Sequence, residues 1–254
     1  MARILDVYLG SQLVGELEQD DSGALWFCYD TDWLDSAEAR PLSASLPLRS
    51  EKFRRNECRA FFAGLLPEEE SRQLVAKAFG VSARNDFALL SKIGGECAGA
   101  VSVMPRGEYP KVSAQNYQSL SREQLEEKFE KLPLRPLLAG EQGMRLSLAG
   151  AQGKLAVMIQ DEEYFLTLDG APSSHILKPE SPHYPGLVRN EYFCMSLAKK
   201  IGLDVAEVRV DQAGKMPFLE ITRFDRTRNA EGQLERIHQA VSYTHLTLPT
   251  ILLV

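Results

Sequence analysis

The 254-residue chain has no apolar run approaching the ~18 residues that a membrane-spanning helix requires, and its first residues, Met-Ala-Arg-Ile-Leu-Asp, contain no signal-peptide core. No membrane role is therefore expected, and a cytoplasmic location is. Cysteine is scarce and scattered: Cys28, Cys58, Cys97 and Cys194 form no C-x-x-C pair, which argues against a zinc site or a disulfide framework. The four histidines are as sparse, and neither His175 nor His183 has a ligand partner at metal spacing. Positive charge is not in excess either. A formal net charge of -6 argues against a broad nucleic-acid footprint, although local basic spots such as Arg54 with Arg55 occur. DNA, if it enters the biology, is expected to be carried by a partner.

What is present is an ordinary globular composition, 44% hydrophobic and 25% charged, in a chain long enough to bury roughly 70 to 75% of its extended surface as one large or two small domains. Period-two patterning through Leu5, Val7 and Leu9, then Leu13 to Leu17, then Leu25, Phe27 and Tyr29, predicts an antiparallel meander. Helical patterning follows from Phe53 to Leu66, from Pro67 to Phe79 and from Asn85 to Ile93, with a small-residue strand at Ala98 to Met104. Residues 1–105 thus read as an α+β unit. Across 106–135 the periodicity fades into Pro, Gly, Ser, Gln and Asn, then resumes in a Glu-rich helix whose Ser121 and Gln124 form a capping-box pattern, so this segment is expected to be a linker and connecting helix.

The second unit, 136–239, opens on Arg145-Leu-Ser-Leu-Ala-Gly-Ala-Gln-Gly-Lys154. Its small residues would let main-chain N–H groups converge on an anion, and Lys154 supplies a point charge. The stretch fits neither G-x-x-x-x-G-K-[ST] nor G-x-G-x-x-G, since Leu148 stands where each needs glycine, and a hairpin entry with two glycines is an alternative. Strands are expected at Lys154 to Ile159, Tyr164 to Leu168 and Ser174 to Pro179, a helix at Asn190 to Ile201, and strands at Val205 to Val210 and Phe218 to Phe224. A glycine loop, three strands, a helix and two strands is the order of a protein-kinase-like N-lobe. In that order Lys178 takes the place of the third-strand lysine and Glu191 is the carboxylate to pair with it, the alternative for Glu191 being stabilisation of a helix N-terminus. The segment from Phe218 to Asp225 would run into a hinge, and its alternative is a strand end with surface charges at Arg223, Asp225 and Arg226.

Ser147-Leu-Ala-Gly-Ala-Gln-Gly-Lys154, His175-Ile-Leu-Lys178, Asn190-Glu-Tyr-Phe-Cys-Met-Ser-Leu-Ala198, Ile201-Gly-Leu203 and Ile221-Thr-Arg-Phe-Asp-Arg226 together resemble the HipA family of serine/threonine kinase toxins. Phe61-Phe-Ala-Gly-Leu-Leu-Pro-Glu68 and Ile93-Gly-Gly-Glu-Cys-Ala-Gly-Ala100 resemble that family's N-terminal domain. The resemblance implies a type II toxin–antitoxin kinase that uses ATP and magnesium to phosphorylate a protein serine, on a glutamate-tRNA ligase in well-known members. It also implies a HipB-like helix-turn-helix antitoxin that holds the toxin on operator DNA. Carried onto this sequence, it makes Ala149, Gly150, Ala151, Gln152 and Gly153 the phosphate loop, with Lys154 at its end. Lys178 becomes the ATP-contacting lysine, Thr222, Arg223 and Phe224 the hinge, and Ser147 the autophosphorylated serine. Gly153 departs from the glutamate usual there.

A catalytic and a metal-binding aspartate should follow in a helical C-lobe, yet Asp225 is the last aspartate of the chain. The expectation is therefore a HipA-type N-terminal domain followed by a kinase N-lobe, the C-lobe missing and the fragment inactive by itself. Residues 240–254 include Val-Ser-Tyr-Thr-His-Leu-Thr-Leu-Pro-Thr, which looks like a translated sequencing adapter, and are expected to be non-native. A non-catalytic module that contacts an antitoxin or dimer partner is the rival reading.

Overall fold

Leu25, Phe27 and Tyr29 are buried while Trp26 and Cys28 between them are half-buried, the alternation of a strand with one face in a core. The same physics builds both sheets of the computed structural model, which describes residues 3–110, 113–150 and 152–239. The first unit contains β1 (Arg3–Leu9), β2 (Gln12–Gln19), β3 (Leu25–Tyr29), α1 (Thr31–Asp35), β4 (Phe53–Arg54), α2 (Arg55–Gly64), α3 (Glu69–Ala78), α4 (Asp86–Ile93) and β5 (Val101–Pro105). Its antiparallel sheet has the order β4-β3-β2-β1-β5. Phe27, Phe53, Phe61 and Phe62 fill the core between this sheet and α2, with ring centroids 4.9 to 6.0 Å from their aromatic neighbours.

The second unit comprises β6 (Tyr117–Leu120), α5 (Arg122–Lys131), β7 (Leu155–Gln160), β8 (Glu163–Thr167), β9 (His175–Pro179), α6 (Leu187–Lys200), β10 (Val208–Ala213) and β11 (Met216–Thr222), and then the small hairpin β12 (Arg226–Arg228) and β13 (Leu234–Arg236). Its six-stranded antiparallel sheet has the order β10-β11-β9-β7-β8-β6. Alternation along β9 sends neighbouring side chains to opposite faces. Leu177 joins Phe129 of α5 and Phe218 of β11 in the core, whereas Lys178 points to the face where α6 packs beside β10 and β11. One face of this sheet therefore holds the fold together and the other is free for chemistry.

The expected meander, helices and strand order are present, with shifted ends. The Ser121 capping box forms, Ser121 N–H donating to Gln124 Oε1 at 2.9 Å and Gln124 N–H to Ser121 Oγ at 3.2 Å. Helix α6 begins at Leu187, three residues before the expected start, after Gly186 at φ +87°. The expected linker contains β6, an edge strand of the second sheet, and α5, whose Leu125 and Phe129 are fully buried, so much of 106–135 is built into the second unit. All four cysteines are free thiols. Cys58 and Cys97 are buried and pushed up to about 12 by desolvation, while Cys194 is exposed. The expected foreign tail, 240–254, lies outside the described residues. Among those described, no helix is long and apolar enough to cross a membrane.

Candidate functional site

The glycine loop enters from the first unit's flank. Ser147 N–H donates to the Glu96 carbonyl at 2.8 Å, and its buried hydroxyl donates to the Leu65 carbonyl at 2.6 Å. Beyond this root Gly150 takes φ +98°, a conformation that side chains rarely adopt, and a Cβ there would sit 2.8 Å from Lys154 Nζ. Gly153 is under no such constraint: a Cβ would make only an ordinary contact with Leu132 at 3.7 Å. Ala151 lies outside the described residues.

Lys154 is buried, and its ammonium donates back to the Ala149 carbonyl at 2.5 Å. Desolvation, then the like charge of Lys178, lowers its pKa from 10.5 to about 8. Lys178 is ion-paired with Glu191 of α6 at 2.5 Å, each side chain roughly a quarter exposed. Because α6 starts at Leu187, Glu191 stands past the first turn, where the helix dipole has largely faded, so the dipole alternative loses its footing. Gln152 adds a buried side-chain amide nitrogen with no hydrogen-bond partner among the described residues. Two coupled ammonium groups and an orphaned donor make a mouth with a surplus of donors and positive charge, which an anion would satisfy.

The residues expected as a hinge divide. Thr222 is exposed, and its hydroxyl meets His175 Nε2 at 3.2 Å. Its N–H donates to Glu207 and that of Arg223 to Ser174, so two main-chain donors of this segment are already engaged inside the unit. Phe224 projects outward, 70% exposed. The surface-charge alternative for its neighbours is corrected by the structure. Arg223 and Asp225 are buried, as is the side chain of Arg226, and all three meet Glu96 of the first unit or bond to each other. Sequence reasoning missed this cluster because Glu96 lies 127 residues before Arg223, and charge at a strand end ordinarily means solvent. His175 is half-buried between Ser174 Oγ at 2.7 Å and Thr222, and desolvation lowers its pKa.

Among the described residues no group of three His, Cys, Asp or Glu side chains could hold a metal ion. The two ammonium groups and the orphaned amide of the mouth suit the anionic part of a nucleotide.

A strand lysine clasped by a helix carboxylate, facing a glycine loop on an antiparallel sheet, is the arrangement of kinase-like α/β proteins. Comparison with known proteins agrees. The family description HipA N-terminal domain matches residues 5–104, and HipA-like C-terminal domain matches residues 146–250. A putative kinase of Sinorhizobium fredii, Y4mE, is 46% identical over 241 residues, covering 93% of this chain and 57% of its own length. The serine/threonine-protein kinase toxin HipA of Shewanella oneidensis is 33% identical over 230 residues, 90% of this chain and 51% of its own. The solved structure of the Shewanella oneidensis HipA, HipB and operator DNA complex superposes with a TM-score of 0.75 at 32% identity, covering 92% of this chain and 54% of that one. The chain belongs to the HipA family, and it spans about half the length of the curated relatives it matches. Since the match to the HipA-like C-terminal domain occupies 146–250, the expectation of an absent C-lobe gives way to a coarser statement: a mixed α/β chain similar to HipA.

Proposed function

We propose that this chain carries the nucleotide-gripping part of a serine/threonine protein kinase toxin, and that the whole protein transfers phosphate from ATP to a protein serine. The observation that carries the reading is the Lys178–Glu191 pair, held on the α6 face of the sheet within electrostatic reach of Lys154 at the end of the glycine loop. In this reading Ala149 to Lys154 cover the phosphates, Lys178 contacts them with Glu191 fixing its orientation, and the chain from Thr222 to Phe224 faces the base. ATP supplies the phosphoryl group. Asp225 is the last aspartate of the sequence and is buried in an ion pair, so the proton-accepting and magnesium-holding carboxylates of the transfer step are assigned outside these residues, and the fragment alone is inactive.

Ser147 fits the autophosphorylation role in an informative way. Its hydroxyl is sealed against the Leu65 carbonyl, an acceptor that a phosphate oxygen would repel, so a modified loop has to leave its seat and the site with it. The acidic chain is suited to an antitoxin of the HipB kind that makes most of the contacts with operator DNA, and a glutamate-tRNA ligase is the substrate that the resemblance implies. The test is a metal-free titration of a fluorescent ATP analogue. The wild-type chain should bind it, and Lys178→Met should weaken binding by about tenfold or more, as for a phosphate contact worth over ~1.4 kcal/mol. No binding by the wild type, or equal binding by the variant, overturns the reading.

A further inference from the structure

We propose that Glu96, a residue of the first unit, positions both ends of the nucleotide site in the second. Its main chain holds the root of the glycine loop and its carboxylate holds the segment leaving β11. The proposal rests on the nucleotide reading above and deepens it by naming what sets the spacing between loop and hinge.

The first arm is a short parallel bridge. Glu96 N–H donates to the Arg145 carbonyl and Ser147 N–H donates to the Glu96 carbonyl, both at 2.8 Å, with Leu146 opposite Glu96. Packing there is close: a Cβ at Gly95 would lie 2.8 Å from Arg145 Cβ and 3.2 Å from Gly170 Cα. The second arm is the side chain. Glu96 Oε1 accepts from Ser173 N–H at 2.7 Å, Ser173 Oγ at 2.8 Å and Arg226 Nη2 at 2.9 Å, and Arg223 Nη1 stands 3.5 Å away. Asp225 completes the clamp, bonding Arg223 at 2.7 Å and accepting from Gly99 N–H, three residues after Glu96, at 2.8 Å.

Gluing two units together does not by itself call for this chemistry, since well-packed apolar side chains usually do it at lower desolvation cost. Glu96 occupies this place although its Oε2 is buried and unpartnered among the described residues. What Glu96 Oε1, shared by Ser173, Arg223 and Arg226, and the Arg223–Asp225 fork add is geometry: groups held at hydrogen-bond length cannot slide as apolar surfaces can. A phosphate loop and a hinge gripping one nucleotide need that constancy, because a misplacement of about 1 Å is costly to a bound reactant. One residue therefore transmits any rocking of the first unit to both ends of the site.

The experiment compares the wild type, Glu96→Gln and Ser173→Ala in the full chain, by analogue titration and by hydrogen exchange. In Glu96→Gln, exchange should rise together in peptides covering 145–150 and 221–226 while β1 and β2 stay protected, and analogue affinity should fall about tenfold, with a smaller fall in Ser173→Ala. A general loss of stability would raise exchange in the first sheet as well. A folded Glu96→Gln that binds like the wild type, or loosens one segment without the other, overturns the proposal. If Glu96→Gln does not fold, Ser173→Ala, which removes only the bonds of its hydroxyl to Glu96 and from Arg223 and no charge, decides on the same two readouts. Wild-type protein that fails to bind the analogue overturns the nucleotide reading instead, and the paired exchange response still judges Glu96.

Discussion

Two clusters of charge are built on opposite plans. At the seam, Glu96, Arg223, Asp225 and Arg226 have side chains between 1 and 4% exposed and form a closed set of ion pairs. At the mouth, Lys154 and Lys178 repel one another, and the carboxylate that pairs with Lys178, Glu191, is a quarter exposed. Desolvation alone would raise both seam carboxyls, but the facing arginines outweigh it and hold Glu96 and Asp225 below the usual carboxylate range, Asp225 at about 2. In the mouth, desolvation and like charge act in the same direction, against the charged form. Balanced charge marks where the fold is fixed; unbalanced charge marks where a ligand is awaited.

The sharpest way to break the contrast is to unbalance the seam. Asp225→Ala should cost about 3–5 kcal/mol in urea denaturation, because two buried guanidinium groups lose one of their two carboxylate partners and Glu96 alone is left to balance them. Lys178→Met, by removing one half of a partly exposed pair, should change stability by less than about 1 kcal/mol while weakening nucleotide binding by about tenfold or more. Comparable stability losses in the two variants would mean that the clusters are of one kind. Acid titration probes the same difference more gently. A carboxyl depressed from 3.8 to about 2 stabilises the fold above its unfolded value and loses that contribution as pH falls through the folded one. Asp225 should then account for a decline of ~2 kcal/mol between about pH 4 and pH 2, absent in Asp225→Asn.

The mouth was legible in the sequence and the seam was not, for physical reasons. Strands β7 to β11 and helix α6 declare themselves through periodicity, and once their order is known Lys178 and Glu191 fall opposite each other without further information. Strand β6 was hidden because it is an edge: Gln118 and Ser119 face solvent and Leu120 alone is buried, so no alternating apolar signal marks it. Arg223 and Asp225 were hidden because burial of a charge depends on its partner, and the partner here is a glutamate of the other unit. The signal that could have found them is the dense run Arg223-Phe-Asp-Arg226, with acid and base spaced to pair along an extended chain.

A smaller effect separates two glycines of the loop. Gly150→Ala should destabilise by about 1–2 kcal/mol, since its φ of +98° strains any side chain and the new methyl would displace the Lys154 ammonium from Ala149. Gly153→Ala meets nothing closer than 3.7 Å and should be neutral within about 0.5 kcal/mol. Thermal melts of the pair, followed by analogue titration, would locate the constrained half of the loop. Equal effects at both positions would move the constraint away from Gly150.

The smallest expected signal concerns a fraction of a proton. With its pKa lowered from 10.5 to about 8, Lys154 is neutral in the folded chain but charged in the unfolded one between those values, so stability rises with pH across that window. Bound phosphates would reverse the cause of the shift, putting negative charge where Lys178 now supplies positive. At pH 8 the folded lysine is about half protonated, so saturating it with a nucleotide should draw up to about half a proton from the buffer. Calorimetry in two buffers of different ionisation enthalpy would read this uptake, which should shrink toward zero at pH 6 and vanish in Lys154→Met. Heats that do not depend on the buffer at pH 8 would mean that the ammonium stays on the Ala149 carbonyl when nucleotide binds, leaving Lys178 and the loop amides to hold the phosphates.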